Sequence, residues 1–98
     1  MKKHIYIAGK VSGEDYDECY SKFNKAQIYC EKEFGQLAYN PLKRVPQNWS
    51  WFRQMLFCIR NLKKNCDKIY MLNDWKESKG ARWEHWVAKK HNITIYYE

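Results

Sequence analysis

No apolar run in this chain approaches the roughly 20 residues that a membrane-spanning helix needs. The first apolar segment, Ile5-Tyr6-Ile7-Ala8, follows Met1-Lys2-Lys3-His4 directly and is too short for the core of a secretory signal. No membrane association is therefore expected, and the cytoplasm is the expected compartment. The chain also lacks a CxxC pair, and its three histidines are scattered. Cys19 and Cys30 fall on the expected inner face of a helix, and Cys66 just precedes a strand. Together with Cys58 they read as free thiols, small buried hydrophobes in a reducing compartment, and no metal is expected. Acidic residues are missing between Phe34 and Cys66, where Lys43, Arg44, Arg53, Arg60, Lys63 and Lys64 supply six of the positive charges behind the net +7. Such a stretch suits phosphate, whether of a nucleotide or of a nucleic-acid backbone. For Arg60, Lys63 and Lys64 a solvated helix face is the preferred reading, whereas Lys43 and Arg44 are better placed to touch a ligand.

What is present suits one folded domain over residues 1–98. Hydrophobic residues make up 45% and charged residues 30%, a balance that folds rather than staying disordered. A chain of 98 residues has a modest core and is marginal on its own. Five Trp and eight Tyr carry more aromatic surface than so small a core encloses. Part of it is expected to form an interface in a homo-oligomer, a dimer at least, with Trp83, Trp86 and the 49–52 cluster as candidates.

Strand and helix patterns alternate, without repeats or low-complexity linkers. Residues 3–8 read as a strand and 9–13 as a turn-rich loop. Asp17 is the expected N-cap of a helix reaching Phe34, with Cys19, Phe23, Ala26 and Cys30 inside and Gly35 as C-cap. A short strand over 36–39 ends at Asn40-Pro41, and a loop rich in Trp, Pro and basic residues runs to Ser50. A helix over 51–64, a strand over 68–72, a helix over 79–90 and a strand over 93–97 complete the chain. Four strands alternating with three helices predict a parallel sheet with right-handed crossovers. The expected fold is a small flavodoxin-like or Rossmann-like three-layer α/β sandwich with strand order 2-1-3-4.

The third helix carries the most informative residue. With Ser78 as N-cap, Gly80, Ala81, Glu84, Val87, Ala88 and His91 share one helical stripe, otherwise small and apolar. That stripe should face the sheet and bury Glu84, where a carboxylate is costly unless it is paired or has a job. A half-exposed Glu at the stripe's edge is the alternative. Ligands in open parallel sheets bind beyond the carboxyl ends of the strands, where the winding reverses. Here that point lies between strands one and three, and it gathers residues 9–13, 73–78 and 40–49, with Glu84 facing the crevice. Asp67, at the other end of its strand, reads as structural.

Tyr6-Ile7-Ala8-Gly9-x-x-Ser12-Gly13, Phe23-Asn24-x-Ala26, Asn40-Pro41, Cys66-Asp67-x-Ile69-Tyr70-x-Leu72 and Trp75-x-x-Ser78-x-Gly80-Ala81-x-x-Glu84 occur in this order. Together they resemble the small domains of unknown function, of DUF4406 type, that are grouped with nucleoside 2-deoxyribosyltransferases. The resemblance covers essentially the whole chain. It extends to the 2′-deoxynucleoside 5′-monophosphate N-glycosidases, whose Ser-x-Gly-x-x-x-Glu pattern is matched by Ser78, Gly80 and Glu84. The resemblance implies that Glu84 attacks the anomeric carbon of a deoxyribose, forming a glycosyl-enzyme intermediate. It implies that Tyr6 hydrogen-bonds and orients that carboxylate, although a core Tyr is the alternative. It implies a nucleoside or nucleotide as the small-molecule partner, and no cofactor is expected.

Substrate-binding candidates are Gly9, Lys10, Ser12 and Gly13 on the first loop, Asn40, Asp74 and Trp75, and Ser78 and Gly80 at a helix N-terminus suited to an anion. Trp75, Trp49 and Trp51 are candidates for stacking on a base, with plain packing as the alternative. The chain also departs from the pattern. Lys10 stands where the family usually has Pro. Cys58 or Ile59 stands where the transferases carry an acid, and Ser78 stands where they carry a second one. Asp74 is the available substitute. Efficient base exchange is thereby less expected, and N-glycosidase or deoxyribosyltransferase chemistry through Glu84, on deoxynucleosides or their 5′-monophosphates, is the preferred reading. The competing readings are a non-catalytic binder of a nucleotide-like ligand and, ranked last, a basic nucleic-acid-binding module, for which no recognition motif is present.

Overall fold

The computed structural model describes residues 4–98, so Lys3, the expected start of the first strand, lies outside the described residues. The elements are β1 (His4–Ala8), α1 (Tyr16–Phe34), β2 (Leu37–Tyr39), α2 (Pro41–Arg44), α3 (Trp51–Asn65), β3 (Cys66–Met71), α4 (Lys79–Lys90) and β4 (Thr94–Tyr97). A single 3₁₀ turn, Trp75–Glu77, precedes α4. The four strands pair in parallel in the order β2-β1-β3-β4, as the alternating pattern predicts. No helix among the described residues is long and apolar enough to cross a membrane.

A parallel sheet covered on both faces needs strands apolar on both sides, and β1 meets that demand. Its alternate residues Ile5 and Ile7 pack with Cys19, Phe23, Ala26 and Cys30 of α1. Tyr6 and Ala8 point the other way, against Met55, Cys58 and Leu62 of α3 and Ala81, Val87 and Ala88 of α4. Phe23 is 1% exposed, and burying such a ring stabilises the fold by about 1.5–3 kcal/mol. The three layers are thus α1, the sheet, and the α3–α4 pair.

Several boundaries differ from expectation, each for a local reason. Asp15, not Asp17, caps α1: its backbone is extended and its carboxylate accepts the Glu18 N–H at 3.1 Å. Asp17 and Glu18 then fall in the first turn, where the helix dipole favours negative charge. Gly35 ends α1 with φ +63°, the left-handed conformation a C-cap needs. The stretch after Asn40 is not all loop. Asn40 accepts the Leu42 N–H and Pro41 occupies the first helical position, so one turn of helix forms. His91 drops out of the buried stripe because α4 stops at Lys90, and His91 is exposed. Cys66 is the first residue of β3 rather than its predecessor. All four cysteines are free and buried.

Candidate active site

Tyr6 sits in the middle of β1 and is completely buried; Glu84 lies on the sheet-facing side of α4 and is 6% exposed. The Tyr6 hydroxyl donates to Glu84 Oε2. The expected inward orientation of Glu84 is therefore what the helix adopts, with the half-exposed alternative set aside. Tyr39 stacks on Tyr6 with ring centroids 5.3 Å apart and 13° between planes, which restrains the ring that holds the carboxylate.

Burial pushes the Glu84 carboxyl up to about 8, and the Tyr6 hydrogen bond pulls only partly against it. Burial, and next the charge of Glu84, holds the Tyr6 hydroxyl well above its ordinary range, so it remains a donor. Burial likewise pushes the Cys58 thiol up to about 12, with Glu84 adding to the effect. The group facing the pair from α3 is thus a neutral thiol. Cys58 and Ile59 both belong to the core, and of the two Cys58 borders the cavity that Tyr6 and Glu84 also line.

Tyr6 and Glu84 border a cavity of about 80 Å³ beyond the carboxyl end of β1. Gly9 and Ser12 border it from the first loop, and Ser78 and Gly80 from the start of α4. Ser78 Oγ accepts the Ala81 N–H at 3.1 Å, capping the helix. The N–H groups of Lys79 and Gly80 open α4 without an intrahelical acceptor. Gly80 lets α3 approach closely, since a Cβ there would lie 2.9 Å from Met55 Sδ and would displace that side chain. A second cavity, about 290 Å³, shares Ser12, Gln47, Trp51 and Gln54 with the first and continues toward Glu14 and Tyr16. Among the three Trp residues considered for stacking, only Trp51 borders these cavities.

Other expected site residues lie outside both cavities. The Lys10 N–H donates to Asp74 Oδ1 at 3.0 Å, and its ammonium stands 3.9 Å from Glu14 and 3.8 Å from Glu77. Burial alone would raise the Asp74 carboxyl, but its bonds to Lys22 Nζ, at 2.5 Å, and the Lys10 N–H outweigh that and hold it below its ordinary value. Asp74 is thereby a loop tie. Gly13 adopts φ +82° at the third position of the turn closed by the Glu14 N–H and the Val11 carbonyl, which shapes the first loop. Asn40 is buried, capping α2 and donating to Gln27. Trp75 stacks on His85, 4.2 Å between centroids.

Sequence reasoning missed Lys22, Gln47 and Gln54. Lys22 could have been found from its place one turn after the inward-facing Cys19; nothing in the sequence marks the two glutamines. Among the described residues no group of three or more His, Cys, Asp or Glu side chains is placed to hold a metal ion. None of the curated proteins matches the chain. A family model does match residues 3–97, and the chain belongs to that family, DUF4406, a domain of unknown function.

Proposed function

We propose that the protein binds a 2′-deoxynucleoside or its 5′-monophosphate and cleaves the N-glycosidic bond with Glu84 as nucleophile. The observation that carries this reading is the buried Tyr6–Glu84 hydrogen bond at the wall of a cavity, at the reversal point of the sheet. The likeness to nucleoside deoxyribosyltransferases and deoxynucleotide N-glycosidases supports it. The Glu84 carboxylate attacks C1′, the C1′–N bond breaks, and the base leaves with the bonding electrons and takes a proton from water. Water then attacks C1′, the ester bond from C1′ to Glu84 breaks to release the sugar and restore the carboxylate, and the proton this water loses neutralises the hydroxide left by the first step. Tyr6 holds one carboxylate oxygen and orients the other. With its carboxyl titrating near 8, about a tenth of the protein carries the nucleophile at pH 7, so cleavage is slow there and quickens toward alkaline pH.

Ser78 and the first N–H groups of α4 receive the 5′-phosphate, which favours nucleotide over nucleoside. Exposed Phe52, Leu56, Phe57 and Trp86 form the face through which the chain pairs with a second copy. Sedimentation at micromolar concentration tests that pairing, and a 12.0 kDa monomer would refute it.

One observation favours a second reading, a non-catalytic nucleotide binder: among the described residues the smaller cavity is lined by no acid besides Glu84 that could assist the leaving base, and the thiol of Cys58 beside it is neutral. Incubation with deoxynucleosides and their monophosphates, followed by chromatography of free base, separates the two. Base release by the wild type and none by Glu84→Gln is the expected result. Binding without release by either protein would leave the binder reading in its place.

A further inference from the structure

The two cavities differ in what their walls offer. The smaller one has Glu84 on its wall, so under the proposed function it receives the deoxyribose, with C1′ toward the carboxylate. The base then extends toward the larger cavity, which shares Trp51, Gln47 and Gln54 with the smaller one. Its volume of about 290 Å³ is near the low end for small-ligand pockets. Trp51 borders both cavities and offers aromatic surface for a planar ring to pack against.

Gln54 is committed in an unusual way. It lies in the first turn of α3, and its Nε2 donates to three carbonyls of the preceding loop: Pro46 at 3.3 Å, Gln47 at 3.4 Å and Trp49 at 2.9 Å. Three acceptors around one atom identify that atom as the nitrogen, which fixes the orientation of the amide. The polar atom Gln54 has left for a ligand is Oε1, an acceptor only. The carboxylate that lines the larger cavity, Glu14, is engaged by Lys22 at 3.4 Å and Lys10 at 3.9 Å.

We propose that Gln54, its amide nitrogen held by the 46–49 loop, acts as a fixed hydrogen-bond acceptor that selects bases carrying an exocyclic amino group over their oxo counterparts. The inference rests on the proposed function, because it places a nucleobase in the larger cavity. An amino group donates to Oε1; an oxo group at the same position sets two acceptors against each other and leaves both unpaired. Gln54 is a specificity residue here and takes no part in bond breaking.

The test compares two pairs that differ in this group and in the protonation of the adjacent ring nitrogen: deoxyadenosine against deoxyinosine 5′-monophosphate, and deoxycytidine against deoxyuridine 5′-monophosphate. Calorimetry on the wild type should show the amino member of at least one pair binding about tenfold tighter. Gln54→Lys supplies three donors to the same carbonyls but no acceptor, so the preference should fall to one or invert while the oxo nucleotide still binds. Should the lysine variant fail to fold, Gln54→Met removes the acceptor without adding charge and makes the same comparison. Equal affinities within both pairs in the wild type, or a preference that survives the loss of the acceptor, would overturn this assignment and leave the proposed function standing. Failure of all four nucleotides to bind would remove the proposed function and this inference with it.

Discussion

Replacing Glu84 by Gln should change how stability depends on pH, and the size of the change follows from the site. In the unfolded chain this carboxyl ionises near its ordinary 4.5; in the folded protein burial holds it up to about 8. Between those values the folded state binds a proton that the unfolded state has released, so stability falls as pH rises. The slope approaches 1.36 kcal/mol per pH unit, or about 3 kcal/mol between pH 5 and pH 7, and it levels off above pH 8. The amide of the Glu84→Gln variant does not titrate, and its carbonyl can still accept the Tyr6 hydrogen bond. Asp67 and Asp74, both held below their ordinary values, act with the opposite sign by stabilising the fold above acid pH. They are common to both proteins and cancel in the comparison. Denaturant titrations of both proteins from pH 5 to pH 9 should therefore give curves that separate by about 3 kcal/mol by pH 7, the variant gaining on the wild type. In thermal melts the same separation amounts to roughly 10–20 °C for a domain of this size. Parallel curves, with a difference independent of pH, would show that Glu84 ionises at its ordinary value and that its burial leaves it unperturbed.

Two further outcomes follow from the same geometry. Tyr6→Phe removes the hydroxyl that donates to Glu84 and should slow cleavage by about ten- to a hundredfold. It should also move the rising limb of the pH–rate profile upward, since the carboxylate loses the bond that favours its charged form; an unmoved profile would refute the pairing. Ser78→Ala removes the α4 cap, costs about 1 kcal/mol of stability, and should abolish most of the affinity advantage of a 5′-monophosphate over its nucleoside. Calorimetry that finds the two ligands equal in the wild type would refute the phosphate assignment.

The elements and the sheet order were legible because their signals are periodic. Alternation along β1 and the small-residue stripe on α4 specify which side chains turn inward, and both Tyr6 and Glu84 follow from that geometry. The ends of elements were less legible. Asp15 and Asp17 are equally good caps by composition, and only the backbone geometry at Asp15 decides between them. The Asn40-Pro41 pair carries a helix-start signal, but a single turn has too few residues for its periodicity to be read. Of the residues that border the cavity, Tyr6, Gly9, Ser12, Ser78, Gly80 and Glu84 were legible, whereas Gln47 and Gln54 were not. Gln54 borders the cavities because Nε2 folds back onto the 46–49 loop, a long-chain contact that no spacing rule encodes. Lys10 and Asp74 flank the reversal point, which is why the sequence points them at the ligand; instead they tie the two loops to each other and to Lys22.

The central claim is that Glu84 forms a covalent bond to the sugar, and mass spectrometry of the acid-quenched protein during turnover tests it most directly. With a deoxynucleoside monophosphate supplied at mildly alkaline pH, the intact protein should gain the mass of one deoxyribosyl phosphate. Proteolysis should place the addition on the α4 peptide at Glu84, and Glu84→Gln should remain unmodified under the same conditions. Base release by the wild type with no adduct at any quench time, and undiminished release by Glu84→Gln, would contradict the account.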